Sequence, residues 1–491
     1  MFNKLKSLSF FRHLIALSVP EAINAILKVF LGLITAKILG PENLGIVSAV
    51  GMVMVFGSLL QGGILDGLAL KIPLLIGKNK KTEAIRQINV AYTSVLSILL
   101  MLLPFFLFAT WFLFEDELVI KGIIANALAL ILFEYYQVIE GKPRFFYNFR
   151  VVYYSKLIFV TFNFIITTAG VILFGIHGLF VSLIIVYLPP IFYLVFVKRE
   201  SLNFDMNFNI TKDLIYLGFP ILLSGMIYTL FMTVDRWFII TYYGAGQLGY
   251  YSVMISVSAV LLLVPIKFVS ILTQYLREKV GKGMKKRPIF EIVFSSMLIF
   301  VLILSPLVYI VGDLVVALIR FYLTEYSATI PLVRLLLIYT LLSGALLIGN
   351  VFFVVTDNKK YLLIIQLLSV IIAIIFNAVA VYSDLGLVGI AQATMLTVIA
   401  SIILSLLFIG YNKIKFPDGF YLILIFSALL TFITPNLVDK YLPLPLNGST
   451  SDFIYVVSQH LLVILFALII NIFFIYKRKI YLPVLRIMNR T

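Results

Sequence analysis

Through most of the chain, apolar residues run in unbroken blocks of roughly 20, separated by short clusters of lysine, arginine and glycine. Blocks of that length with so few charges predict membrane-spanning α-helices. In hydrocarbon every backbone N–H and C=O must find its partner within the chain, and a helix does this within each segment. Spans are predicted at about 14–38, 44–65, 87–113, 118–139, 151–174 and 177–197. The polar connector KRESLNFDMNFNITKD, residues 198–213, follows them. Further spans are predicted at about 215–242, 248–272, 289–312, 331–355, 361–382, 387–410, 418–436 and 455–476. The fold class is therefore all-α and polytopic, with about 14 transmembrane helices.

An internal repeat organises these spans. ILGPENLGIVSAV (38–50) aligns with YYGAGQLGYYSVM (242–254), pairing Gly40 with Gly244, Gly45 with Gly249 and Ser48 with Ser252. Pro20 matches Pro220, Pro104 matches Pro306, and Asn163 and Gly178 match Asn377 and Gly389. Several matches in one order at a spacing of about 200–214 residues indicate duplication rather than chance. Six helices per copy is an even number, so both copies enter from the same side and the predicted relation is a parallel repeat about the membrane normal. The expected organisation is an N-terminal six-helix lobe (1–204), a C-terminal six-helix lobe (205–410), and two additional helices with a basic tail (411–491).

Composition agrees and adds orientation. The chain is 62% hydrophobic and only 12% charged, with a mean hydropathy of +1.11; a soluble domain carries about a quarter charged residues. The net charge of +16 suggests nucleic acid only until its distribution is considered. Of 38 lysines and arginines, 29 fall in the tails and loops on the side of the N-terminus and five on the opposite side, so both termini are expected in the cytoplasm. The N-terminal apolar run reaches spanning length with no small-residue cleavage site, and reads as a retained first helix. Cysteine is absent, which removes disulfides and thiolate metal sites. No nucleotide-binding, metal-chelating or hydrolytic motif is present and no cofactor is implied.

Ionisable residues in mid-span are costly and usually face a cavity or a partner. In the first helix, Glu21, Asn24, Lys28, Gly32 and Thr35 fall within a sector of about 80°. They are expected either to wall a hydrated cavity or to hold a Glu21–Lys28 pair. The seventh span carries Asp235-Arg236, whose side chains point about 100° apart; either one lines a cavity while the other braces a neighbouring helix, or both snorkel to the outer interface. Tyr228 shares the face of Asp235, and Lys267 lies in the inner half of the eighth span. Glu134 and Glu140 flank the inner end of the fourth, Glu140 at the interface, and His460 is a packing residue.

The repeat, the segment Leu39-Gly40-Pro41-Glu42-Asn43-Leu44-Gly45 and the Asp235-Arg236 pair resemble the bacterial polysaccharide and O-antigen flippases of the multidrug/oligosaccharidyl-lipid/polysaccharide exporter superfamily, over about residues 10–410. That resemblance implies an alternating-access transporter rather than an enzyme, in the bacterial inner membrane. Its implied substrate is an undecaprenyl-pyrophosphate-linked oligosaccharide bound for surface polysaccharide such as capsule or lipopolysaccharide. It further implies cavity cations, here Lys28 and Arg236, with Asn24, Glu21, Asp235, Tyr228 and Lys267 beside them. H⁺ or Na⁺ as coupling ion, membrane lipids and the polymerase machinery complete the expected partners, and nucleic acid is not among them. Lipid II flippases of the same superfamily carry arginines in their first two helices, and this chain has none in those spans. A multidrug:cation antiporter of the superfamily is the alternative, and a membrane polymerase or glycosyltransferase a more distant one.

Overall fold

The computed structural model describes residues 2–146, 148–200 and 202–411 and residue 469. They form an all-α fold of thirteen α-helices: α1 (Phe2–Gly57), α2 (Ile64–Gly77), α3 (Lys81–Leu113), α4 (Glu117–Phe145), α5 (Phe149–Ile185), α6 (Leu188–Phe192), α7 (Phe208–Phe231), α8 (Val234–Tyr242), α9 (Gly244–Gly281), α10 (Lys286–Phe321), α11 (Ile330–Val355), α12 (Lys359–Tyr382) and α13 (Gly386–Tyr411). Ten helical runs among the described residues are long and apolar enough to cross a membrane. Two of these, Val19–Gln61 and Phe149–Val197, hold 43 and 49 residues. At about 1.5 Å per residue each is at least twice the ~30 Å of bilayer hydrocarbon.

Each long run contains two predicted spans joined at a glycine. α1 breaks at Gly40 (φ 71°, ψ 173°) and α5 at Gly175 (φ 57°, ψ −134°), conformations open to glycine and strained for other residues. At Gly175 the chain reverses. A Cβ added at Gly178 would lie 1.9 Å from the Gly170 carbonyl oxygen, so the two limbs pack backbone to backbone. The twelve predicted spans before residue 411 are thus all helical, while 418–436, 455–476 and His460 lie outside the described residues.

Two elements depart from expectation. Residues 66–77, which lie between the spans predicted at 44–65 and 87–113, belong to α2, which starts at Ile64 after Gly62 and Gly63 (φ 66° and 81°) end the preceding turn. Ile64, Leu68, Ile72 and Leu75 bury one face, so helical periodicity overrides the lysines around them. The span predicted at 215–242 is likewise broken, α7 ending at Phe231 and α8 starting at Val234.

The chain divides into two compact units. Unit 1 holds the residues up to Met232 with Tyr243–Ser252. α4, capped by the Asp116 carboxylate, which accepts the Leu118 and Val119 N–H groups at 2.8 and 3.4 Å, is its central helix. It packs on α1, α3 and α5 and shares a core with α2 and α7 through Ile64, Leu68, Ile88, Leu130, Val138 and Leu214. The polar connector is fastened to α3: Asp205 N–H donates to Thr93 Oγ1 (3.0 Å), Arg86 pairs with Asp205 (3.3 Å), and the Ser94 and Thr211 hydroxyls lie 2.6 Å apart. Asn207 caps α7 by accepting the Ile210 N–H at 3.0 Å.

The two copies of the glycine repeat meet inside unit 1. Gly45 lies against the Ala245 carbonyl and Gly249 against the Pro41 carbonyl. Under the alignment that pairs Gly40 with Gly244, position 41 corresponds to 245 and 45 to 249, so the two contacts interchange. That is the signature of a local two-fold between the copies of this segment.

Unit 2 holds Thr233–Tyr242 and the described residues from Val253 onward. Its core joins α9, α10, α11 and α13 around Leu276, Phe290, Phe294, Leu302, Phe352 and Phe353. α8 packs on α12 and α13.

Candidate functional site

In unit 1, α1 carries Glu21, Asn24 and Lys28 in a stretch that also exposes Ile26 and Phe30. Lys28 is exposed, and among the described residues it makes no hydrogen bond or ion pair. Glu21 does not pair with it. Its Oε1 lies 3.4 Å from Lys156 Nζ on α5, both side chains remaining partly accessible. The helical sector seen in the sequence therefore separates chemically, one end holding a neutralised acid and the other an uncompensated cation.

Glu140, near the C-terminal end of α4, is buried within the protein. It is 2% exposed, with Arg144 Nη2 3.8 Å away and one carboxylate oxygen lacking a hydrogen bond. Glu140, Arg144, Lys156 and Glu21 form one electrostatic group across α4, α5 and α1. Behind it, the rings of Tyr136, Phe159 and Tyr187 stack at centroid distances of 5.7 and 5.5 Å, and the Ser155 hydroxyl donates to Tyr136 Oη at 3.4 Å. Tyr228, on α7, is half-buried against Phe231.

In unit 2, Asp235 and Arg236 occupy the first turn of α8. Asp235 is 4% exposed and accepts the Arg236 N–H at 2.8 Å, on the buried side of α8 with Val234 and Ile239. A carboxylate in a first turn also meets the positive end of the helix dipole. Arg236 points elsewhere. It is half-buried, and its Nε is shielded from solvent with no acceptor among the described residues. Lys267 is exposed on α9. On α12, Asn377 is 1% exposed, its amide donates to Ala373 O, and its amide oxygen has no partner among the described residues.

Sequence reasoning missed Lys156 as the partner of Glu21, because nothing local connects residues 135 positions apart. The Glu140–Arg144 pair was accessible from its i,i+4 spacing. The buried Asp313 of α10 pairs with the half-buried Arg334 of α11 at 3.6 Å. No group of acidic and histidine residues suited to a metal ion occurs among the described residues.

Comparison with known proteins gives the same fold. The structure of the lipid II flippase MurJ in an inward closed conformation aligns with a TM-score of 0.68 at 16% identity, covering 94% of this chain and 99% of that one. An inward-facing multidrug resistance MATE transporter of the MOP superfamily aligns at 0.58 and 17% identity, covering 82% and 99%. A MOP superfamily transporter from Pyrococcus furiosus, described as having a binding pocket of reversed polarity, aligns at 0.54 and 17%, covering 82% and 96%. No curated protein sequence gives a significant match. Residues 34–275 match the family described as polysaccharide biosynthesis protein. That match covers just under half of the chain, and the fold is that of a multi-pass membrane protein with the architecture seen in the MurJ and MATE structures.

Proposed function

We propose that the protein is a flippase that carries undecaprenyl-pyrophosphate-linked oligosaccharide from the cytoplasmic to the outer leaflet of the bacterial inner membrane, supplying surface polysaccharide synthesis. The observation that carries this reading is the asymmetry of charge compensation. Among the described residues Lys28 has no counter-ion and Arg236 Nε no acceptor, whereas Glu21 is neutralised by Lys156. A pyrophosphate headgroup brings about two negative charges that will not cross hydrocarbon unaided, and uncompensated cations offset that cost. A cationic drug would require the reverse balance, which weighs against the multidrug antiporter.

In this mechanism the six-helix lobes, 1–204 and 205–410, rock about a wet cavity while the polyprenyl tail stays in lipid. Lys28 and Arg236 bind the pyrophosphate, and Asn24, Tyr228 and Lys267 contact the sugars and phosphates. Glu21 holds Lys156, and the buried Asp235 takes the coupling H⁺ or Na⁺. Both termini are cytoplasmic.

The test is surface polysaccharide measured against protein level in a deletion strain. Deletion leaves lipid-linked repeat units complete on the cytoplasmic leaflet. Lys28→Met abolishes export while the protein still accumulates, Lys28→Arg retains part of it, and Lys28→Glu is worse than Lys28→Met. Equal, near wild-type export in Lys28→Met and Lys28→Glu refutes the role of Lys28. Normal polymer in a deletion strain without a second flippase refutes the function.

A further inference from the structure

The connector that leads into α7 is polar in composition, yet its large apolar side chains lie outside the protein. Phe204, Met206 and Phe208 are 76, 69 and 81% exposed, and they alternate with the half-buried Asp205 and Asn207. Residues 202–207 belong to no helix, and Asn207 is extended (φ −138°, ψ 103°). In extended chain, successive side chains point to opposite sides. Phe204 and Met206 therefore share one side, and Phe208, the first residue of α7, continues the row. The polar side is held against unit 1. The Asn203 N–H donates to Asn89 Oδ1 (3.3 Å), the Asp205 N–H to Thr93 Oγ1 (3.0 Å), and the Asp205 carboxylate meets Arg86 (3.3 Å). Leu202 packs against two apolar cores of the unit. These bonds fix which side of the segment faces out.

The segment joins two runs long and apolar enough to cross a membrane, Phe149–Val197 and Phe208–Phe231, so it lies where hydrocarbon gives way to water. Its charges are lopsided. The acids are paired with cations of unit 1: Glu200 with Lys142 (3.4 Å), Asp213 with Lys71 (3.5 Å) and Asp205 with Arg86. The cations at its two ends, Lys198, Arg199 and Lys212, are exposed and make no ion pair among the described residues. Lys198 lies over the Tyr193 ring at 5.5 Å, an aromatic–cation pairing suited to a headgroup layer. In water the row would keep three large apolar side chains hydrated, which the hydrophobic effect opposes. A membrane surface suits both features, since acyl chains take the apolar row and anionic phosphates take the flanking cations.

We propose that the connector is an interfacial anchor: Phe204, Met206 and Phe208 insert into the leaflet on their side of the membrane, and Lys198, Arg199 and Lys212 bind its anionic lipid headgroups. Under the orientation given above, that leaflet is the cytoplasmic one. Because the polar side of the segment is bonded to α3, the anchor fixes the height and tilt of unit 1 in the bilayer. It depends on the membrane spans and not on the cargo, so it stands whether or not the protein flips a lipid-linked saccharide.

The chain has no cysteine, so Met206→Cys accepts a single spin label in the purified full-length protein. Power saturation is measured in nanodiscs of phosphatidylethanolamine with about a quarter phosphatidylglycerol. It compares collisions with oxygen, which concentrates among acyl chains, and with a nickel chelate, which stays in water. Oxygen is expected to prevail. If nickel prevails, the row lies in water and the anchor is overturned. Shielding from both reagents overturns it as well, because a protein surface, of this chain or of a second copy, then covers the row. Adding Phe204→Ser and Phe208→Ser, at side chains that are exposed, should shift the label towards nickel; an unchanged oxygen preference shows that the rings do not hold the segment and overturns the insertion. Replacing phosphatidylglycerol by phosphatidylcholine should lower the oxygen preference, and the variant Lys198→Gln/Arg199→Gln/Lys212→Gln should lose that dependence. An equal response in the presence and absence of the three cations overturns their binding of headgroups.

Discussion

At the crossing of the two repeat segments, an added Cβ lies 1.7 Å from a facing carbonyl oxygen both at Gly45 (against Ala245) and at Gly249 (against Pro41). A carbon and a carbonyl oxygen approach to about 3.3 Å at closest. Gly45→Ala therefore forces the two backbones apart by about 1.5 Å, with no flexible side chain to yield instead. Overpacking of this kind costs about 1–3 kcal/mol, and backbone-to-backbone contact points to the upper end. Because one crossing holds both contacts, the separation forced by the first alanine already clears most of the space for the second. The double variant Gly45→Ala/Gly249→Ala should then cost about 1–2 kcal/mol less than the sum of the singles. Unfolding by SDS in mixed micelles measures all three. Additive effects show that the contacts are independent and refute the two-fold crossing. Single effects below about 0.5 kcal/mol refute the close approach itself.

The Glu21–Lys156 pair at 3.4 Å is half-accessible, so a double-mutant cycle of Glu21→Gln and Lys156→Met should give a coupling of about 1 kcal/mol, and a coupling of zero removes the neutralisation argument. Gly175 sits at φ 57°, so Gly175→Ala should lower the SDS-unfolding free energy by about 1–2 kcal/mol; no change means that the hairpin does not need this conformation. Asp313 is 2% exposed beside Arg334. Arg334→Met should therefore cost about 3 kcal/mol and be partly rescued by Asp313→Asn; lack of rescue shows that the cost is packing rather than charge.

What the sequence determined by itself is what lipid as solvent imposes. Runs near 20 apolar residues must be helices whatever surrounds them, so the described spans were legible, and duplication left a glycine pattern that could be aligned without coordinates. The family resemblance rested on the same segments, and Lys28 and Asp235-Arg236 stood out because charge in a span is costly. Local chemistry also contained the breaks at Gly40 and Gly175, although nothing in the sequence says which glycine takes a left-handed conformation. The tertiary structure decided who faces whom. Glu21 finds Lys156 because α1 packs on α5, a contact that no helical periodicity encodes. Of the adjacent pair on α8, Asp235 is the one buried because its side of the helix packs against α12 and α13. Glu140 is buried although it lies near a helix end, in one electrostatic group with Arg144, Lys156 and Glu21 that only the packing of α1, α4 and α5 assembles. α2 is a helix in spite of its basic flanks, because Leu214 and Gly218 of α7 offer its apolar and glycine face a surface. Charge pairing and burial depend on contacts between segments far apart in the chain, and those are set by packing rather than by composition or period.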